Sequence, residues 1–202
     1  MPLRRLTAWL LALQLLAALP APAAPVKTAA FLRAASALID PRVRFAPGYR
    51  RIPYPMGDVP ADQGVCADVV VRAYRGVGID LQKLLHEDMT AHFALYPGTW
   101  RLAAPDPNID QRRVLNLGVF FTRFGKVLKI TNDPGDYRPG DLVTWNLDPR
   151  GSTPHIGIVM PTRSPDGKRP LILNNIGRGQ VLEDILFAFR ITGHYRYGID
   201  RP

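Results

Sequence analysis

The chain has 202 residues and a formal net charge of +9, with 47% hydrophobic and 21% charged residues. This length suits a single domain of ordinary size, and the composition excludes a disordered or fibrous protein. Positive charge draws a protein to anionic surfaces, but the basic residues are spread along the chain without a dense run. We therefore expect no nucleic-acid partner. Peripheral contact with anionic envelope surfaces is the alternative to an ordinary soluble basic surface.

The first 23 residues have the features of a secretory signal peptide. Arg4 and Arg5 precede an apolar run over residues 6–19, which is too short to cross a bilayer comfortably. Ala21-Pro22-Ala23 follows as a small-x-small cleavage pattern. The sequence thus predicts a signal peptide over 1–23, a single domain over 24–202, and a periplasmic or extracellular protein. Loss of two arginines lowers the formal net charge from +9 to about +7. An uncleaved membrane anchor is the alternative.

The first part of the mature chain carries helical patterns. Apolar residues at helical spacing predict helices over 26–39, 62–75 and, after an Asp80 cap, through Leu81 to Met89. A short helix is predicted over 117–124, with Asn116 as its cap. Residues 43–60 contain four prolines and are expected to form an extended loop with at most a short strand.

The second part carries strand patterns separated by Pro/Gly-rich turns. Strands are predicted over 126–130, 141–146, 156–160, 171–174 and 186–197, with a hairpin over 161–170. Helices followed by antiparallel strands predict an α+β domain, with N-terminal helices packed on a C-terminal sheet.

Cys66 is the single cysteine, so an internal disulfide is excluded. In an exported protein such a residue forms a dimer bond, is buried and inert, or is reactive. Cys66 lies near the start of the predicted helix 62–75, where unpaired backbone N–H groups favour negative charge. This position lowers a thiol pKa and offers an N–H to a developing oxyanion, so Cys66 is a candidate nucleophile.

His155 is the candidate base. It directly precedes the apolar run Ile156–Val159, and Gly157 suits a place where another backbone comes close. Antiparallel pairing through the hairpin 161–170 would bring Asn174 beside His155. The Asn174 amide oxygen would then accept the imidazole N–H and fix its tautomer. The alternative for Asn174 is a turn residue together with Asn175.

The other titratable candidates have weaker patterns. His86 and His92 are six residues apart on one helix and cannot share a metal, so we expect neither a metal nor a cofactor. His194 is expected to be structural, with a place in the site as the alternative. Three acidic residues either bind a substrate amine or, as we favour, cap helices and face water: Asp68, Glu183 and Asp184.

Two segments resemble the signatures of the NlpC-type cell-wall peptidases, which are papain-like cysteine hydrolases. The matching residues are Gly64-Val65-Cys66-Ala67-Asp68-Val69-Val70, Pro139-Gly140-Asp141-Leu142-Val143 and Pro154-His155-Ile156-Gly157-Ile158-Val159. In that group a tyrosine about a dozen residues before the cysteine positions the substrate carbonyl, which implies this role for Tyr54. The group usually has aspartate and serine around the cysteine and histidine as its third residue, whereas Val65, Ala67 and Asn174 stand here.

A closer resemblance is to the bacterial family known as domain of unknown function 1287, and the chain is identified as a member of it. The resemblance covers nearly the whole mature chain. Its hallmarks appear at Gly64-Val65-Cys66, Leu84-Leu85-His86-Glu87-Asp88-Met89, Pro107-Asn108-Ile109-Asp110, Tyr137-Arg138-Pro139-Gly140-Asp141, Asn175-Ile176-Gly177 and 189–197.

Together these observations predict an exported cysteine hydrolase of papain-like fold. Its expected catalytic residues are Cys66, His155, Asn174 and Tyr54, and its expected substrate is a peptidoglycan peptide or another amide. The alternative is a non-catalytic envelope-binding domain that retains the papain-like fold.

Overall fold

A computed structural model describes residues 26–200 of the chain, so the expected signal peptide lies outside the described residues. The helices are α1 (Thr28–Ser36), α2 (Cys66–Arg75), α3 (Leu81–His92) and α4 (Val114–Phe124). The strands are β1 (Arg44–Phe45), β2 (Gln63–Gly64), β3 (Lys126–Val127), β4 (Leu142–Asn146), β5 (Pro154–Arg163), β6 (Pro170–Asn174), β7 (Val181–Glu183) and β8 (Arg190–Arg196). No helix within 26–200 is long and apolar enough to cross a membrane.

The main sheet has six strands in the order β3-β8-β4-β5-β6-β7, and every neighbouring pair is antiparallel. The helices precede this sheet along the chain, while β1 and β2 form a separate parallel pair. The predicted α+β class is therefore confirmed.

Alternation along the strands gives the sheet two apolar faces. Leu142 and Ile156 belong to the core cluster that contains the helices. Val143 and Trp145 belong to a second cluster on the opposite face, with Leu186. Neighbouring residues of one strand point to opposite faces, so a single sheet supports both layers. The indole N–H of Trp145 donates to the Leu186 carbonyl at 2.9 Å, which fixes the loop that precedes β8.

The observed elements differ from the predicted ones mainly at their ends. Helix α2 begins at Cys66 rather than residue 62, because Gln63 and Gly64 pair with β1. Helix α4 begins at Val114, so the prediction that Asn116 caps it is wrong. Asn116 is buried inside the helix, where its side-chain N–H donates to the Asp110 carbonyl. The last strand starts at residue 190 rather than 186.

Candidate active site

The start of α2 is fixed by the carboxylate of Asp68, three residues after the N-cap residue. The N-cap residue Val65 has no side-chain acceptor to offer the helix. Instead Oδ2 of Asp68 accepts the Val65 backbone N–H at 2.7 Å. A carboxylate in the first helical turn also interacts favourably with the helix dipole. Cys66, the first residue of the helix, is therefore held between two anchored residues.

Asp68 is itself held by a buried ion pair. Arg112 Nε lies 2.9 Å from Asp68 Oδ1 and Arg112 Nη2 lies 3.0 Å from Oδ2, so the pair is bidentate. The two side chains are only 2% and 4% exposed. Two further Arg112 N–H groups donate to the carbonyls of Ala46 and Gly48. This guanidinium thus connects the turn before α4, the loop after β1 and the start of α2, and the Asp68 carboxylate faces protein rather than water.

The Cys66 thiol is buried in this setting. Cys66 is 7% exposed, and burial raises the pKa of its thiol to about 11. The backbone N–H groups of Ile156, Ala67 and Cys66 oppose this rise, because they hydrogen bond to the thiolate form. Ile156 directly follows His155 on β5, so the sulfur lies against the strand next to the candidate base.

His155 is bound to Asn174 on the adjacent strand. His155 Nε2 lies 3.0 Å from Asn174 Oδ1, and the two residues are 2% and 0% exposed. The amide oxygen accepts only, so this bond puts the imidazole proton on Nε2 and leaves Nδ1 as an acceptor. Burial lowers the pKa of His155 to about 4, although the Asn174 hydrogen bond opposes the shift. Neutral imidazole is thus the favoured form at ordinary pH.

Glu183 on β7 orients the Asn174 amide, a contact that the sequence did not predict. Glu183 Oε2 accepts from Asn174 Nδ2 at 3.0 Å. Because the carboxylate binds the amide nitrogen, the amide oxygen is turned toward His155. Strand β7 has only three residues and was not predicted, so its pairing of Val181 with Asn174 could not be expected.

A second asparagine connects this strand to the cysteine segment. Asn175, the residue after β6, donates from Nδ2 to the Gly64 carbonyl at 3.4 Å. Gly64 is two residues before Cys66. The structure therefore brings together the His155–Asn174 pair and the start of α2, on elements that are far apart in the sequence.

Tyr54 lies elsewhere, against α3. Its ring is 5.1 Å from that of His86, and the charges near its hydroxyl are Glu87, Lys83 and Asp80. Within residues 26–200 no hydrogen bond joins its side chain to Cys66 or His155. The oxyanion role expected for Tyr54 thus stays a prediction.

The other histidines make contacts with residues other than Cys66. His92 pairs with Asp88 at 3.0 Å on the surface of α3. His194 is 1% exposed and binds Asp141, with its ring stacked on Tyr137 at 4.3 Å. Its contacts are those of the structural residue that the sequence favoured.

An apolar groove of about 510 Å³ lies between α4 and the helix-facing side of the sheet. It extends to Pro154, the residue before His155, and to Thr144, the partner of Ile156. Cys66 is not among its lining residues. The groove therefore runs beside the His155 strand while the thiol stays covered.

We expect Asp68→Ala to lower the free energy of unfolding by about 3–5 kcal/mol, because it leaves the Arg112 guanidinium buried without a partner. The matched control is Asp62→Ala, which breaks an exposed Asp–Arg pair and should change stability little. Urea unfolding of both variants measures the difference. Equal small effects would contradict a structural role for the buried pair.

We also expect His155 to make stability depend on pH. Its folded-state pKa of about 4 lies below the ordinary 6.5, so the unfolded chain binds the proton more readily. Above pH 6.5 the neutral imidazole makes its full contribution to the free energy of unfolding. About 3 kcal/mol of that contribution is lost as the pH falls to 4. Urea unfolding from pH 7 to 4 should show a shallower loss in His155→Gln than in wild type.

Comparison with known proteins identifies a family and a bacterial relative. The family model described as "Domain of unknown function (DUF1287)" matches residues 32–197. The chain is also 50% identical over 153 residues to "Uncharacterized protein YijF" of Escherichia coli (strain K12), covering 76% of this chain and 73% of that protein. No solved structure matches the chain. The chain therefore belongs to the DUF1287 family.

Proposed function

We propose that this protein is an exported cysteine hydrolase that cleaves an amide bond in cell-wall peptide by acyl transfer. The observation that carries the proposal is the buried His155–Asn174 hydrogen bond, on a strand whose next backbone N–H, that of Ile156, is close enough to lower the pKa of the Cys66 thiol. A thiol, an imidazole and an amide acceptor in this order are what nucleophilic catalysis by cysteine requires.

The proposed fold assignment is papain-like, of the NlpC type. Supporting it, a helix that begins with cysteine packs on an antiparallel sheet whose adjacent strands carry histidine and asparagine. Unlike the usual NlpC-type sequence, the residue before Cys66 is Val65, and Asp68 takes over the binding of the helix start.

In the proposed mechanism the resting pair is neutral, because burial disfavours both the thiolate and the imidazolium. Nδ1 of His155 takes the thiol proton as Cys66 Sγ attacks the carbonyl carbon. The backbone N–H of Cys66 at the helix start binds the oxyanion once the sulfur is bonded to the carbonyl carbon. His155 then gives its proton to the leaving amine, and a thioester remains. Water, deprotonated by His155, hydrolyses the thioester to a carboxylic acid and regenerates the thiol.

Peptidoglycan peptide is proposed as the substrate on two grounds. The predicted signal peptide would place the protein in the envelope, and the positive charge of the chain favours anionic polymers. The groove that ends at Pro154 supplies an open surface beside the His155 strand for an extended peptide.

We expect purified protein to release peptides from sacculi or muropeptides, measured by mass spectrometry. Cys66→Ala should abolish release, and Asn174→Ala should lower kcat by about 10²-fold because the imidazole loses its orientation. The matched control is Asn132→Ala, at an exposed turn. Absence of cleavage by folded wild-type protein would count against this substrate.

A second prediction concerns the proton on Cys66. Because the resting pair is neutral, iodoacetamide should label the folded protein slowly at pH 5 and pH 7, with the rate rising above pH 9. The unfolded protein is the internal control, since its single cysteine should label with an ordinary profile near pKa ~8.5. Fast labelling of the folded protein at pH 5 would instead indicate a thiolate–imidazolium pair.

A non-catalytic envelope-binding domain is the second candidate, favoured by the burial of Cys66 at 7% exposure. A small buried cysteine commonly packs as an apolar residue. Under this alternative, Cys66→Ala would keep the cellular phenotype of the wild-type gene, whereas a hydrolase would lose it.

A further inference from the structure

A second cavity, of about 360 Å³, lies at the opposite end of β4 from the residue that pairs with His155. Its lining is almost entirely charged or titratable: Lys126, Leu128, Lys129, Asp136, Arg138, Asp141, His194 and Arg196. Four basic side chains face two carboxylates, so the cavity carries a net positive charge before His194 is counted. None of these residues takes part in the proposed hydrolysis.

The carboxylate at the base of the cavity is already saturated. Asp141 is fully buried and accepts from His194 Nε2 at 2.9 Å, from Arg196 Nε at 2.7 Å and from the Arg138 backbone N–H at 2.8 Å. His194 Nδ1 faces the Lys129 carbonyl at 3.0 Å. Asp141 therefore has no capacity left to neutralise the cations at the mouth of the cavity.

Several cationic groups remain without a hydrogen-bonding partner. Within residues 26–200, the side chains of Lys126, Lys129 and Arg138 form no ion pair. Arg196 is 8% exposed, and both its Nε and its Nη2 lie against Asp141 Oδ1, so its charge is paired with that carboxylate. The positive charge that the cavity leaves free is therefore that of Lys126, Lys129 and Arg138 at its mouth.

We propose that this cavity binds a phosphate group. Two ammonium groups and one guanidinium at its mouth, with Arg196 below them, match the charge of a phosphate dianion and its several acceptor oxygens. The exposed Asp136 lowers this charge but does not cancel it, because the lining holds four basic side chains and only two carboxylates. The phosphate is either that of a small soluble ester or that of a lipid headgroup.

The test uses the purified protein at low ionic strength and pH 7 in a buffer without phosphate. Isothermal titration with inorganic phosphate and with glycerol 3-phosphate measures binding of soluble ligands, and co-sedimentation with phosphatidylglycerol vesicles measures binding to lipid. The variants are Lys129→Gln and Arg138→Gln, whose side chains are exposed at the cavity. The matched control is Arg190→Gln, an exposed arginine at the other end of β8.

We expect saturable binding that each cavity variant weakens about tenfold, since each removes one charge-assisted contact, while Arg190→Gln binds as wild type. Binding to the soluble esters identifies a small ligand, and cavity-dependent binding to vesicles alone identifies the headgroup. Equal weakening by all three variants would show that binding depends only on the overall charge of the protein, and would overturn the site. Absence of binding in both assays would overturn it as well. Neither assay depends on hydrolysis, so this result is independent of the proposed function.

Discussion

The buried pair between Asp68 and Arg112 is the constraint on which the rest of the cysteine region depends. A valine at the N-cap cannot satisfy the first helical N–H groups, and the Asp68 carboxylate does part of that work from inside the first turn. A buried carboxylate is costly unless it is paired, and Arg112 supplies the partner. Since the same guanidinium also binds the Ala46 carbonyl, the helix start, the β1 loop and the turn before α4 cannot move independently.

This constraint explains how a helix start without a polar cap residue can hold a cysteine in one place. The usual stabilisation of thiolate at a helix N-terminus is present here, because the backbone N–H groups of Cys66 and Ala67 lower the pKa of the thiol, as does that of Ile156 on β5. Desolvation is nevertheless the larger effect, since the pKa rises to about 11. The same burial lowers the pKa of His155 to about 4, so both partners of the proposed pair are neutral at rest. Proton transfer from the Cys66 thiol to the His155 imidazole would therefore have to accompany substrate binding.

Much of the fold and part of the site could be predicted from the sequence. Hydrophobic periodicity identified the main helices and strands, and hairpin pairing placed Asn174 beside His155, where the hydrogen bond is found. Periodicity does not describe contacts between residues remote in sequence. Arg112 is 44 positions from Asp68, and only the folded chain shows that they meet. Glu183 was missed because a strand of three residues has too few positions to show alternation.

The two charged regions differ in how their carboxylates are balanced. Asp68 is paired with one arginine, Arg112, which also donates to two backbone carbonyls, so the two charges of that region balance each other. Asp141 is paired with both His194 and Arg196, so it does not balance the exposed cations at the mouth of the same cavity, Lys126, Lys129 and Arg138. The pair around Asp68 therefore stabilises the fold, whereas the groups around Asp141 leave positive charge available to a ligand. The excess positive charge of this chain is therefore unevenly balanced by carboxylates. At the end of β4 beside Asp141 it lies in a cavity and exceeds the negative charge around it.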